Sequence, residues 1–251
     1  MTALEVVAVL VAGAAAGAIN AVVGSGTLIT FPVLLAVGYG PLIANVSNTL
    51  GLVLGSISGA IGYREELAGQ RSRVVRLSGV AALGGLAGAI LLLTLPDAAF
   101  EAIVPALVGI ALLLVVVQPR LSRWLDARRS RPRLHKGGLG LLAGTLGAGV
   151  YGGYFGAAQG ILYLAALGLA LDDELQRLNA LKNVLAAIVN GVAALVFVLI
   201  AEVAWLPVGL IAAGSIVGGQ LGARFGKRLP PAALRGVIVV VGLAAIAQLV
   251  L

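Results

Sequence analysis

Two short polar groups stand inside long apolar stretches of this chain and carry most of its chemical potential. Asn45, Asn48 and Thr49 are spaced i, i+3, i+4, so on a helix they share one face. Asn179, Lys182 and Asn183 repeat that spacing. Carboxamides and a hydroxyl donate and accept hydrogen bonds, and a lysine adds positive charge, a set that suits an anion. Lys182 lies about eight residues into its apolar run, roughly 12 Å deep if the run is helical. An ammonium there costs at least ~2.5 kcal/mol in a membrane unless it has a partner. The nearby carboxylates, Asp172 to Glu174, sit only at the rim. The partner is then either a bound anion or the surface, reached by the side chain bending back. Ser56 and Asn190 lie further along the same faces and extend them.

Glycine breaks supply the second set of candidates. Gly24-Ser25-Gly26 precedes the apolar run 27–37, and Gly156-Ala157-Ala158-Gln159-Gly160 precedes 161–171. Each run is about 11 residues, roughly 16 Å of helix, half of the ~30 Å hydrocarbon core. Both are expected to be half-helices. A half-helix start exposes up to four N–H groups and a partial positive charge, so Ser25, Gly26, Thr27, Gln159 and Gly160 are candidate anion donors. The alternative use of these glycines is close helix packing, which is the reading for the pairs Gly13/Gly17, Gly55/Gly59 and Gly84/Gly88 and for Gly214/Gly218/Gly222.

The elements that must hold these groups are membrane helices. Of 251 residues, 60% are hydrophobic and 11% charged, with a mean hydropathy of +1.08; soluble domains carry about 25% charged residues. Apolar runs long enough to span occur at 4–23, 41–62, 74–95, 98–118, 138–156, 175–200, 206–226 and 231–250. The fold class is an all-α polytopic membrane protein. The opening run has Glu5 and no Lys or Arg before it, so it is expected to remain in the mature chain rather than act as a cleaved signal. Basic residues cluster at Arg64–Arg76, Arg120–Lys136 and Arg224–Arg235. The positive-inside rule puts these in the cytoplasm and both termini outside an inner (plasma) membrane.

The chain also contains itself twice. At an offset of 134, Gly84–Ala89 falls on Gly218–Ala223, Leu95–Ala99 on Leu229–Ala233, and Asn45–Thr49 on Asn179–Asn183; a two-residue slip brings Gly24 onto Gly156. The matched Leu-Pro turns carry opposite charge, Asp97 and Glu101 against Lys227, Arg228 and Arg235. One transporter domain, 1–251, is therefore expected to comprise two inverted repeats, 1–118 and 138–251. Each has about five helical segments, the second a half-helix, and the basic linker 119–137 joins them.

Zero cysteines and one histidine, His135, leave no disulfide, metal or iron–sulfur set. No cofactor is expected, and the chain lacks phosphate-loop and nucleophile motifs, so it is not expected to be an enzyme. The net charge of +7 follows from loop placement and points to the lipid bilayer as partner, not to nucleic acid. Self-association is left open. Finally, Ile19–Thr27, Phe31-Pro32, Ala44–Thr49 and Ser58–Tyr63 resemble the first repeat of the TauE/SafE sulfite exporter family, whose more usual form has Gly-Gly-Gly at the break and Thr-Ser at Asn48-Thr49. Tyr151–Gln159 and Arg177–Val184 resemble an actinobacterial subgroup. The resemblance implies a permease for sulfite, sulfonates or related sulfur anions. An anion channel, or a membrane sensor without transport, remains an alternative use of the scaffold.

Overall fold

Apolar runs punctuated by glycine and proline set where each helix starts and stops. The computed structural model describes residues 1–127, 138–225 and 231–250, and among them are ten helices and no strand. They are α1 (Ala3–Val22), α2 (Thr27–Ala36), α3 (Pro41–Gly62), α4 (Arg71–Thr94), α5 (Asp97–Ala127), α6 (Leu139–Tyr154), α7 (Gln159–Ala170), α8 (Leu175–Ile200), α9 (Trp205–Phe225) and α10 (Pro231–Val250). Local signals account for the starts. Thr2 and Glu5 form a capping box on α1, with Glu5 N–H donating to Thr2 Oγ1 at 3.3 Å and Thr2 N–H to Glu5 Oε2 at 2.8 Å. Pro41 opens α3, where its missing N–H costs nothing.

Among the described residues six helices, α1, α3, α4, α5, α8 and α9, are long and apolar enough to cross a membrane, and the runs expected at 138–156 and 231–250 form α6 and α10. The chain breaks after Tyr154, which leaves α6 with 16 residues, about 24 Å and short of the ~30 Å core. Helix α10 is 20 residues long. The first part of the expected linker, 119–127, is helical. Helix α5 runs through Pro105 and Pro119 to Ala127, because a single proline removes one ladder bond while the residues after it continue to favour helix. The rest of the linker, including His135, lies outside the described residues.

Main chain packs on main chain along the α1–α9 and α4–α6 seams. On α1, a β-carbon at Gly17 would stand 2.7 Å from Ser215 Cα of α9, and one at Gly218 of α9 would stand 2.7 Å from Ala14 C. The α4–α6 seam is alike: a β-carbon on Gly88 would lie 2.8 Å from Tyr154 N, and one on Gly153 2.9 Å from Gly85 C. Small residues give this approach where lipid supplies no hydrophobic drive between helices. The packing partners recur five elements apart. Helix α1 packs on α9 as α6 packs on α4, α3 on α9 as α8 on α4, and α2 on α10 as α7 on α5, while α3 meets α8 and α5 meets α10.

An ion pair ties the α7–α8 turn to the start of α4. Asp173 accepts from the Arg73 guanidinium and from Arg177 Nε at 2.7 Å. Burial pushes its carboxyl pKa up, but the bonds from Arg73, the Glu174 N–H and Arg177 outweigh this and hold it below the ordinary value. A depressed carboxylate adds stability above its unfolded pKa and loses it as the pH falls through the folded one. Acidifying from about pH 6 to about pH 3, across the ordinary Asp range, should therefore lower the melting temperature of the wild type more than that of Asp173→Asn. Parallel pH profiles for the two would show that the pair adds nothing.

Candidate functional site

The two breaks share one construction. Gly24 has φ +84° and Gly156 φ +78°, a left-handed turn that glycine enters without strain. Gly24 N–H reaches back to Ile19 O at 3.1 Å and Gly156 N–H to Tyr151 O at 3.0 Å, closing α1 and α6 in the same way. The turns then lie against each other: Gly160 N–H donates to Gly24 O at 3.0 Å, and a β-carbon on Gly24 would come 2.5 Å from Gly160 Cα. Helix α7 starts at Gln159, two residues before the apolar run, so Gln159 and Gly160 form its first turn.

The polar faces of α3 and α8 close on these breaks, and each reaches for the end of a broken helix. Asn45 Nδ2 donates to Tyr154 O at the end of α6, 3.0 Å. Asn179 Nδ2 and Asn183 Nδ2 donate to Ala21 O near the end of α1, at 3.1 and 3.2 Å. Lys182 does not bend back to the surface. It is 1% exposed, and its Nζ donates to Asn20 O at 3.1 Å and Ala21 O at 3.2 Å. The ammonium thus meets the negative end of the α1 dipole, a partner the sequence did not reveal. Its stem passes the α7 break, with Cδ 3.1 Å from where a Gly160 β-carbon would sit.

Other candidates are engaged differently. Asn48 donates to Thr27 Oγ1 at 3.2 Å and accepts from Thr30 Oγ1, which pins α2 to α3. Thr30, 1% exposed, escaped the sequence reading, although its position one turn after Thr27 could have signalled it. Thr49 Oγ1 returns to its own helix at Asn45 O, 2.9 Å. At Gly26 a β-carbon would stand 2.5 Å from Ala16 O of α1, so no side chain fits there. Ser56 Oγ accepts from Asn190 Nδ2 and from Asn20 Nδ2, both at 3.2 Å.

Several buried groups keep unused hydrogen-bonding capacity. Ser25 Oγ, Gln159 Nε2, Asn45 Oδ1 and Asn179 Oδ1 have no partner among the described residues. Buried polar atoms are normally paired, so a set of orphans around two facing breaks marks a place suited to a polar ligand. Three rings back the second break: Phe155 lies edge-on to Phe31 at 5.4 Å and 6.3 Å from Phe100. Among the described residues no group of three His, Cys, Asp or Glu could hold a metal ion.

An all-helical bundle with six apolar helices long enough to cross a bilayer, and with two broken helices meeting in its buried middle, is a multi-pass membrane protein of the transporter class. The chain belongs to the sulfite exporter TauE/SafE family, whose model matches residues 9–249. It is 32% identical over 220 residues to the probable membrane transporter protein YfcA of Escherichia coli K12, covering 85% of this chain and 76% of that protein. A probable membrane transporter protein of Haemophilus influenzae is 28% identical over 244 residues, 95% of this chain and 91% of its own length. The probable membrane transporter protein ORF9 of a Sinorhizobium species is 25% identical over 234 residues, 93% and 88% of the two chains. No solved structure matches the chain.

Proposed function

We propose that this protein is a secondary transporter for a small anion, with sulfite, an organosulfonate or a related sulfur anion as its substrate class, and that it works by alternating access. The observation that carries the reading is the contact of the two glycine breaks beside a buried ammonium, Gly160 N–H on Gly24 O with Lys182 alongside. In this reading Ser25, Gly26, Thr27, Gln159 and Gly160 present donors at the breaks. Asn45, Asn48, Thr49, Asn179 and Asn183 supply carboxamides and a hydroxyl, and Lys182 supplies the charge. Opening of the bundle exchanges the break-to-break hydrogen bond for bonds to the anion, so binding and movement use the same amide. The family's name supports a sulfur oxyanion as the cargo.

The transporter is one domain of two inverted units, 1–118 and 138–251, joined by 119–137 and placed in the plasma membrane with basic loops inside and both termini outside. Support comes from packing partners that recur five elements apart. Ser56 and Asn190, 134 residues apart like the matched repeat blocks, also bond to each other, as positions on a two-fold axis would. Rocking of one unit against the other then exposes the breaks to each side in turn.

The test is flux. Purified protein in liposomes should take up labelled sulfite or taurine with saturation, and preloading with the unlabelled anion should accelerate entry. Saturation without acceleration by preloading, or no flux of either anion, would remove alternating access or the sulfur-anion class respectively. Linear, unsaturable flux would identify a channel instead.

A further inference from the structure

The two ends of the bundle carry cavities of opposite charge. One, of about 410 Å³, is walled by Arg123, Arg235, Gln118, Gln176, Asn179 and Tyr63. The other, of about 360 Å³, carries the carboxylates of Asp97, Glu101 and Glu202, with no Lys, Arg or His in its lining. They lie at opposite ends of the same helices: Tyr63 closes α3 while Gly40 precedes it, Gln118 lies in the later part of α5 while Asp97 opens it, and Asn179 lies near the start of α8 while Glu202 follows its end.

The basic cavity reaches the break. Its inner wall includes Val22 and Val23, the last residues before Gly24, and Asn179, which already holds Ala21 O. Three carboxamide oxygens on its wall, Gln118 Oε1, Gln176 Oε1 and Asn179 Oδ1, are buried without a partner among the described residues. Gln118 and Asn179 are 9% and 6% exposed, and each carboxamide can turn to offer its NH2 instead. Arg123 Nε donates to Pro119 O at 3.4 Å, and among the described residues neither Asp nor Glu lines the cavity with the two arginines. Guanidinium forks match the flat edge that two oxyanion oxygens present, and charges set in low-dielectric walls concentrate counter-ions. The acidic cavity repels the same ligand.

We infer that the basic cavity is an anion-capture site ahead of the breaks. It takes sulfite, or the sulfonate group of an organosulfonate, between the guanidiniums of Arg123 and Arg235, with the carboxamides of Gln118, Gln176 and Asn179 as its hydrogen-bonding wall. The inference rests on the anion-transport reading and assigns that reading a docking point at the basic end only. Capture there sets the affinity seen from the basic side, and the acidic end is left to release.

Sodium sulfite titrated into the full-length protein in detergent, with the melting temperature as readout and sodium chloride at matched ionic strength as control, tests the site. The wild type should show a saturable rise. In Arg123→Gln/Arg235→Gln the half-saturation concentration should increase roughly tenfold, the loss expected when paired charge-assisted bonds go, with the unliganded melting temperature unchanged. Arg123→Lys/Arg235→Lys keeps the charge without the fork and should fall between; it decides the matter if the glutamine variant melts low on its own. Asp97→Asn/Glu202→Gln should titrate like the wild type. A wild-type half-saturation in the arginine variants, or an equal loss in the carboxylate variant, overturns the capture site while leaving anion transport in place. A wild type that responds to neither sulfite nor taurine overturns both.

Discussion

Lys182→Gln should lower sulfite flux in proteoliposomes by on the order of 10- to 100-fold, the effect of losing one to two charge-assisted hydrogen bonds, while the protein still inserts and purifies as a folded species. The reasoning is geometric. Glutamine retains an NH2 that can reach Asn20 O or Ala21 O, the two carbonyls that Lys182 Nζ now holds, so the end of α1 keeps a donor. What disappears is the positive charge beside the Gly24–Gly160 contact. Lys182→Met removes donor and charge together and leaves Asn20 O without the lysine, so it should also lower stability by about 1–3 kcal/mol. The pair of variants separates the two roles. If the glutamine protein transports at the wild-type rate, Lys182 is a cap for α1 and not part of the anion path.

Gly24→Val should fail to give a folded, monodisperse protein. Two independent penalties coincide there. At φ +84° a side chain costs about 1–2 kcal/mol of backbone strain, and the first added carbon comes 2.5 Å from Gly160 Cα, a main-chain neighbour that no rotamer change can move. Gly38 separates the terms, because its φ is +98° but a β-carbon there meets nothing within 4 Å. Gly38→Ala should therefore cost only the strain and remain well folded, whereas Gly24→Ala should be more destabilised than Gly38→Ala by several kcal/mol, on the scale of overpacking a tight core. Equal melting temperatures for the two alanine variants would mean that the breaks do not touch in the membrane.

The breaks, the half-helices and the polar faces were legible because their signals are local. Glycine clusters interrupt apolar runs, and an i, i+3, i+4 spacing puts Asn45, Asn48 and Thr49 on one helix face, and Asn179, Lys182 and Asn183 on another, wherever the helices go. Partners were not legible, because they depend on approach distances between segments far apart in the chain. Nothing near Lys182 in sequence announces that Asn20 O and Ala21 O, more than 150 residues away, lie within 3.2 Å of its ammonium. A carboxamide in a helix face suits a ligand or a neighbouring helix alike, and the bonds of Asn48 to Thr27 and Thr30 follow only once α2 is placed against α3. The run expected at 138–156 ends as helix two residues sooner, at Tyr154, and α5 continues past Pro119, where polarity changes but helix propensity does not.

The seams of α1 on α9 and α4 on α6 also bear on how such a gene can drift. Every amino acid other than glycine has at least a β-carbon, so no missense change at Gly17, Gly88, Gly153 or Gly218 is conservative; each places an atom within 3 Å of a neighbouring main chain. At Gly109, Gly191, Gly209 and Gly236, where a β-carbon would meet nothing within 4 Å, the same codons are free to wander. Mutational tolerance in this chain is therefore divided within a single residue type, and a side chain at a seam glycine can be accommodated only by moving the two helix backbones apart.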